Sequence, residues 1–300
     1  MLFQSMSKTL IIKTGAAGDV VRTSCLLNYL DGEIFWVTSE LNKKILNEKH
    51  RGLHIFSLDE ALQNLAGEKF TSVISLEEDE RCAKFASSFH GADVIGIYYE
   101  DCVLKYSQTS SSWFDMSRIS ILGIDKADKL KAENTRTWQE HLFSMLNAEF
   151  RGERYSIYKG LPKNDERILV GLEKRAGERW PNKQWSGFDA LRQMLELEGI
   201  QTLEFHQHET IREYLDQINR CSHIVCGDTF AMHVAMAYEK KCVAIFNCTS
   251  PWEIFDYGLL KKIVSPMLRE NFYSTNHDPR VVSSIPVDEV YTALRSMFDE

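Results

Sequence analysis

The sequence predicts an α/β protein in which two doubly wound domains face one another across a cleft. Apolar strand-like runs alternate with helical patterns in both halves of the 300-residue chain, which is typical of right-handed βαβ units and parallel sheets. A Gly-Asp pair also follows an apolar strand twice, at Gly18-Asp19 and at Gly227-Asp228. Because open α/β sheets bind ligands beyond the carboxyl ends of their strands, these two corners are the first candidates for a functional site.

The amino-terminal half has the more regular alternation. Strand-like runs are predicted at residues 9–13, 33–38, 53–57, 71–76 and 93–98. Helical periodicity is predicted at residues 20–27, 41–46, 60–65 and 137–146. The serine-rich tract 107–112 is predicted to be a loop, because it has low complexity.

The alternation restarts after a charged linker at residues 151–167, which contains Gly152, Gly160 and Pro162. We therefore predict one domain at residues 1–155 and a second, shortened domain at residues 156–300. Strands are predicted at residues 168–172, 201–206, 223–226 and 242–246, and helices at 186–197, 211–219, 230–237 and 287–297.

Composition excludes several classes of function. The net charge is −8 and neither half is basic, so nucleic acid is not expected as a partner. The seven cysteines form no CxxC pair and no zinc-like spacing, and Cys25, Cys226 and Cys242 lie in apolar runs that predict buried, reduced thiols. No signal peptide or membrane span is recognisable, so a cytoplasmic protein is expected.

The first corner has two interpretations. Gly15 and Gly18 allow a tight turn and a close approach to the backbone, but the stretch matches neither G-x-G-x-x-G nor a Walker phosphate loop. Asp19 fits the N-cap of the following helix, where carboxylates are common. It also fits a general base at the rim of a cleft, provided that an acceptor hydroxyl comes within hydrogen-bonding distance.

Three further patches follow strands of the second half. At the Gly227-Asp228 corner, a helix N-terminus offers free N–H groups to an anion, and His233 follows one turn later as either a packing residue or a ligand. Residues 174–185 contain four cations and two tryptophans, which fit either a diphosphate clamp or a solvated loop whose Trp185 packs on the next helix. Thr249 follows the strand at 242–246 and fits a phosphate donor.

In this order the patches resemble glycosyltransferase family 9, the ADP-heptose:lipopolysaccharide heptosyltransferases. Residues 12–20 (IKTGAAGDV) are similar to the family's opening pattern, and residues 179–185 (RWPNKQW) are similar to its Trp-Pro…Trp signature. Residues 228–233 (DTFAMH) resemble its Asp-Thr-Gly-x-x-His signature, and residues 246–249 match its Phe-Gly-Pro-Thr turn in part. The similarity spans nearly the whole chain except residues 101–160.

The resemblance implies a GT-B fold, an inverting and metal-independent transfer, and no cofactor beyond a nucleotide-sugar substrate, for which ADP-heptose is the family's donor. Asp19 would be the catalytic base that deprotonates a glycan or glycolipid acceptor. The acceptor-side loop would consist of Lys13, Thr14, Gly15 and Gly18. Donor binding would fall to Lys174, Arg179, Asp228, Thr229, Phe230, Ala231, His233 and Thr249.

The chain departs from the family pattern at its donor side. Glu178 stands where the family has a lysine, which makes Lys174 or Arg179 the candidate replacement cation, and Phe230 replaces a glycine. These departures keep open a non-catalytic glycan- or nucleotide-binding relative of the family. Lysines in residues 41–50 fit either a solvated helix or a peripheral contact with the inner membrane face. A dinucleotide-dependent oxidoreductase is disfavoured by the missing fingerprint.

Overall fold

The computed structural model describes residues 7–160 and 168–298, so part of the expected linker lies outside it. The chain divides into two compact units between Tyr158 and Lys159, a few residues beyond the boundary expected from the sequence. The reason is local pairing: Ile157 forms an antiparallel bridge with Leu46, and the Tyr158 N–H donates to the Ile45 carbonyl over 2.7 Å. These contacts hold the first part of the expected linker against the amino-terminal unit.

The amino-terminal unit is a six-stranded sheet with helices between its strands. Its strands are β1 (Lys8–Ile12), β2 (Glu33–Thr38), β3 (Leu53–Ser57), β4 (Ser72–Ser75), β5 (Asp93–Glu100) and β6 (Val103–Tyr106). Its helices are α1 (Ala17–Thr23), α2 (Glu40–Lys43), α3 (Leu58–Asn64), α4 (Glu80–Ser87), α5 (Ser111–Phe114), α6 (Ile124–Glu133) and α7 (Trp138–Met145). The strand order is β3-β2-β1-β4-β5-β6, parallel except for β6.

The carboxyl-terminal unit is a five-stranded parallel sheet in the order β11-β10-β9-β7-β8. Its strands are β7 (Leu169–Glu173), β8 (Gln201–Glu204), β9 (His223–Gly227), β10 (Lys241–Phe246) and β11 (Leu260–Val264). Its helices are α8 (Phe188–Leu197), α9 (Ile211–Arg220), α10 (Phe230–Ala237), α11 (Pro279–Val282) and α12 (Val287–Arg295).

Each unit has its own apolar core. In the first, Leu10 and Ile12 of β1 and Val73 of β4 are fully buried against α3 and α4. In the second, the predicted packing of Trp185 on the next helix is confirmed: its ring lies 5.1 Å from that of Phe188. Its indole N–H donates to the Ile285 carbonyl over 2.9 Å, which ties α8 to the start of α12.

Two strands were not predicted, because neither forms a continuous apolar run. Strand β6 returns antiparallel to β5 through Asp101 and Cys102, both with positive φ. Strand β11 carries Lys261 and Lys262 at its centre, which hides its strand pattern. Both are edge strands, where pairing is less dependent on apolar sequence.

Two local predictions are wrong. Helix α2 ends at Lys43 instead of continuing to residue 46, because Ile45 and Leu46 pair with residues 157 and 158. The serine tract is not a plain loop: Gln108–Ser110 forms a 3₁₀ turn that continues into α5.

In the described ranges 7–160 and 168–298, no helix combines the length and apolarity needed to cross a bilayer.

Candidate functional site

The first candidate corner lies where β1 and β4, neighbours in the sheet, both end. Lys13 follows β1 and is nearly buried, with its side chain 9% exposed. Its ammonium lies 2.8 Å from a carboxylate oxygen of Glu77, just beyond β4, and 3.7 Å from one of Asp19. Asp19 also pairs with Arg22 at 2.9 Å and keeps a 32% exposed side chain. Asp19 is thus a positioned, solvent-accessible carboxylate.

Asp19 is not the N-cap itself but lies close to it, in the first turn of the helix. Helix α1 begins at Ala17 with Ala16 as its N-cap, so Asp19 is the third helical residue and Gly18 lies within the first turn. Ala16 has a positive φ of 21° and makes no side-chain cap. Positive φ at a residue with a Cβ is strained, and such strain is found more often at functional sites than elsewhere.

The turn before α1 is held by side chains from its own unit. One carboxylate oxygen of Glu77 accepts hydrogen bonds from the backbone N–H groups of Thr14 and Gly15, both over 2.7 Å. The Asn42 amide donates to the Thr14 carbonyl over 2.9 Å. Of the predicted acceptor-side loop, the structure brings Lys13, Thr14 and Gly15 together around Glu77.

Two tryptophans from the segment outside the family resemblance pack on the same corner. The Arg22 guanidinium lies 5.0 Å from the Trp138 ring and 5.9 Å from the Trp113 ring. The rings pack edge to face 4.4 Å apart. Because its guanidinium lies against both rings, Arg22 presents a fixed cation to Asp19.

The second candidate corner lies at the carboxyl ends of the adjacent strands β9 and β10. Asp228 follows β9 and is 9% exposed. One of its carboxylate oxygens accepts hydrogen bonds from the Lys183 ammonium over 2.8 Å and from the Thr249 hydroxyl over 2.7 Å. The Lys183 ammonium also donates to the Asp228 carbonyl over 2.7 Å. We call these three residues the Asp228 corner.

The Asp228 carboxylate is stabilised in its charged form. Burial acts to raise its pKa. The positive charge of Lys183, the electrostatic contribution of His233 and the hydrogen bonds from Lys183 and Thr249 outweigh burial and lower the pKa below its ordinary value. A carboxyl with a lowered folded pKa contributes stability above its unfolded pKa of about 3.9. That contribution is lost as the pH falls through the lower folded value.

Thr249→Val should therefore destabilise the protein at neutral pH. Loss of a hydrogen bond to a charged group costs about 2 kcal/mol. The difference should shrink as the pH falls from about 4 through the lowered pKa of Asp228, where the folded protein takes up the proton. Urea unfolding at pH 7 and at pH values below about 4 measures both effects. Thr249→Ser retains the hydroxyl and is the matched control; equal stability of the Val and Ser variants at pH 7 would contradict the role of the hydroxyl.

A close backbone contact joins Gly227 to the loop that carries Lys183. A Cβ added at Gly227 would lie 2.4 Å from the Lys183 carbonyl oxygen, which is backbone and cannot rotate away. Gly227→Ala is expected to lower the free energy of unfolding by about 2–3 kcal/mol. Gly177→Ala is the control, since a Cβ there meets no atom within 4 Å. Equal unfolding midpoints for the two variants would refute this close approach.

The remaining residues predicted near Asp228 lie on or next to α10. Thr229 is the N-cap of this helix, and Phe230 and Ala231 are its first two residues, whose N–H groups have no partner earlier in the helix. The Phe230 ring stacks on Tyr214 at 5.8 Å. His233 is buried, with 6% exposure, and contributes electrostatically to the lowered pKa of Asp228.

Two predicted donor-site cations have other contacts. The Lys174 ammonium pairs with Asp189 at 2.6 Å and with Glu204 at 2.7 Å. The exposed Arg179 has its guanidinium 5.2 Å from the ring of its neighbour Trp180. The cation bonded to Asp228 is instead Lys183, from the same patch. Glu178, the departure from the family pattern, is exposed.

Sequence reasoning missed Lys183 and Glu77 for the same reason. Both join their corners through contacts distant in sequence, with Lys183 45 residues from Asp228 and Glu77 62 residues from Gly15. The available signals were the cationic patch at 174–185 and the acidic run that follows the strand at 71–76. Within residues 7–160 and 168–298, no group of three His, Cys, Asp or Glu side chains has a metal-binding arrangement.

Part of this site lies in a segment that resembles a known protein family. Residues 208–276 match the model of glycosyltransferase family 9 (heptosyltransferase), a segment that includes Asp228 and Thr249. No curated protein matches the sequence.

Solved structures match over nearly the full length. A glycosyl transferase family 9 protein from Veillonella parvula DSM 2008 is 15% identical, with a TM-score of 0.67 over 99% of this chain and 98% of that one. E. coli heptosyltransferase WaaC, solved with ADP, is 13% identical, with a TM-score of 0.58 over 96% and 99%. E. coli ADP-heptose lps heptosyltransferase II is 17% identical, with a TM-score of 0.58 over 98% and 100%. The predicted resemblance and fold class are confirmed.

Proposed function

We propose that this chain, a heptosyltransferase-like glycosyltransferase of family 9, transfers a heptose or related sugar with inversion from a nucleotide diphosphate to a bacterial lipopolysaccharide or another surface glycan. One observation carries the proposal. The Asp228 corner contains a fixed cation, Lys183, and lies directly before the N-terminus of α10 at the carboxyl edge of a parallel sheet. Asp228 and Thr249 also lie in the segment that matches the family model.

The donor would bind at the Asp228 corner. The N–H groups of Phe230 and Ala231 and the dipole of α10 favour an anion. The Lys183 ammonium, held in place by its ion pair with Asp228, would also donate to the leaving diphosphate. The E. coli heptosyltransferase WaaC has been solved with ADP and with ADP-2-deoxy-2-fluoro heptose, which supports a nucleotide-sugar donor and makes ADP-heptose the first candidate.

The acceptor would bind at the amino-terminal unit, with Asp19 as the base. As the acceptor oxygen forms its bond to the anomeric carbon, its proton passes to the Asp19 carboxylate. The bond between the anomeric carbon and the diphosphate oxygen breaks, and the nucleoside diphosphate leaves with that electron pair. Lys13 and Arg22 fix the carboxylate for this step, so little reorientation is needed on binding.

The acceptor class implies a cytoplasmic protein that works beside the inner membrane face. The lysine-bearing helix considered for that contact is short, and its Lys43 is paired with Glu60 at 2.6 Å and with Glu40 at 3.4 Å. We therefore do not assign membrane contact to this helix.

The rival function is a non-catalytic glycan- or nucleotide-binding protein. It is favoured by Phe230, whose ring occupies the first position of α10 where the family has a glycine. Calorimetry with ADP-, GDP-, UDP- and CMP-linked sugars, followed by mass spectrometry of candidate acceptors, separates the two functions. Our proposal expects binding of one nucleotide sugar and an acceptor whose mass increases by one sugar. Binding without transfer or hydrolysis would favour the rival.

A further inference from the structure

Glu77 contacts both Lys13 and the turn at Thr14 and Gly15, which precede Asp19 in the chain. The reaction proposed above gives Glu77 no role. It follows β4, and its side chain is 13% exposed. The structure assigns Glu77 as the positioning residue of the Asp19 base, an inference that rests on the proposed function.

The first link runs through the backbone. A single carboxylate oxygen of Glu77 accepts from two successive N–H groups, those of Thr14 and Gly15. Helix α1 begins only two residues after Gly15, so these bonds fix the start of the helix that carries Asp19. A Cβ at Gly15 would lie 3.2 Å from the Glu77 carboxylate, which shows how closely the turn wraps around it.

The second link runs through Lys13. Its ammonium lies 2.8 Å from Glu77 and 3.7 Å from Asp19, so Glu77 holds the shared cation closer than Asp19 does. Without Glu77, Lys13 would be free to move onto Asp19 and occupy the carboxylate that must receive the proton. Glu77 thus keeps Lys13 beside the base without letting it pair fully with the base.

These links also limit what the turn can bind. Glycine-bearing turns before helices often offer their N–H groups to phosphate. Here the Thr14 and Gly15 N–H groups already donate to Glu77, whose negative charge would repel an anion. The turn therefore orients Asp19 toward an acceptor hydroxyl and is not a second phosphate site.

Two substitutions separate the two links. Glu77→Gln retains an oxygen for the Thr14 and Gly15 N–H groups but removes the negative charge that attracts Lys13, whereas Glu77→Ala loses both contacts. We expect kcat to fall about tenfold in Glu77→Gln and about a hundredfold in Glu77→Ala, since small displacements of catalytic groups have effects of that size. The KM for the donor should not change.

Glu78→Gln is the matched control, because Glu78 is adjacent in sequence and its ion pair is with Arg118 at 3.6 Å, away from the turn. It should leave kcat unchanged. A double-mutant cycle separates this positioning role from a purely structural one. In an Asp19→Asn background, Glu77→Gln should cause no further loss of kcat. An equal loss in both backgrounds, or a kcat for Glu77→Ala within threefold of the wild type, would overturn the inference.

Amide hydrogen exchange at Thr14 and Gly15 tests the positioning contact independently of activity. Exchange should be at least about tenfold faster in Glu77→Ala and close to the wild-type rate in Glu77→Gln and Glu78→Gln. If the wild-type protein transfers no sugar at all, the proposed function fails, and exchange decides the positioning contact by itself. Unchanged exchange in Glu77→Ala would then refute it. If Glu77→Ala does not fold, Glu77→Gln carries the kinetic test.

Discussion

Asp19→Asn is expected to lower kcat for sugar transfer about a thousandfold, which is the usual contribution of a positioned general base. Asparagine has the same shape as aspartate, but its neutral amide cannot take up the proton of the attacking hydroxyl group. The proposed donor site lies in the other unit, so the substitution changes no residue that would bind the nucleotide sugar. Its dissociation constant should therefore stay within about twofold of the wild-type value. Steady-state kinetics together with calorimetry measure both quantities.

Folding should survive this substitution. Asp19 is partly exposed, and without its charge Lys13 keeps its ion pair with Glu77 and Arg22 keeps its contact with the Trp138 ring. Asp31→Asn, at an exposed acid of the same unit, is the control and should have wild-type kinetics. A folded Asp19→Asn variant with wild-type turnover would remove Asp19 from the mechanism.

Lys183→Met should weaken both stability and donor binding. It leaves the Asp228 carboxylate buried without its cation, and breaking such a pair costs about 3 kcal/mol. It also removes the proposed contact to the diphosphate, so the dissociation constant of the donor should rise tenfold or more, as about 1.4 kcal/mol of lost binding implies. Chemical unfolding and calorimetry provide the two measurements.

Lys174→Met is the matched comparison, because Lys174 is one of the two cations that the sequence suggested, beside Arg179. Its partners Asp189 and Glu204 are 70% and 35% exposed, so less stability should be lost, and donor binding should be unaffected. Adding Asp228→Asn to Lys183→Met should restore part of the lost stability, because no unpaired buried charge then remains. Stronger loss of donor binding in Lys174→Met than in Lys183→Met would reverse this assignment.

The sequence predicts most of the fold, because buried parallel strands are continuous apolar runs. The strands at Glu33–Thr38 and Leu53–Ser57 and the helix Phe230–Ala237 have the predicted bounds. Elements whose pattern is broken by charge escape prediction, as with Lys261 and Lys262 in β11. Where pairing with a distant segment overrides helical propensity, prediction also fails, as at Ile45 and Leu46.

The sequence predicts which strand ends carry the candidate site, but it does not predict the order of the strands in the sheet. Asp19 and Asp228 each follow a strand, so the sequence identifies them. Their partners depend on which strands are neighbours: β4 lies beside β1 and brings Glu77 to Lys13, and β10 lies beside β9 and brings Thr249 to Asp228. No local pattern encodes that adjacency. The family resemblance pointed to Lys174 or Arg179, whereas the cation that pairs with Asp228 is Lys183.

The most direct test of the proposed function is the stereochemistry of transfer. Proton NMR can follow the anomeric signal while the protein, the nucleotide sugar selected by calorimetry and an acceptor glycan react. Our proposal predicts that a glycoside forms with the anomeric configuration opposite to that of the donor, and that none forms with Asp19→Asn. A product that retains the donor configuration, or no product from a donor that binds, would contradict it.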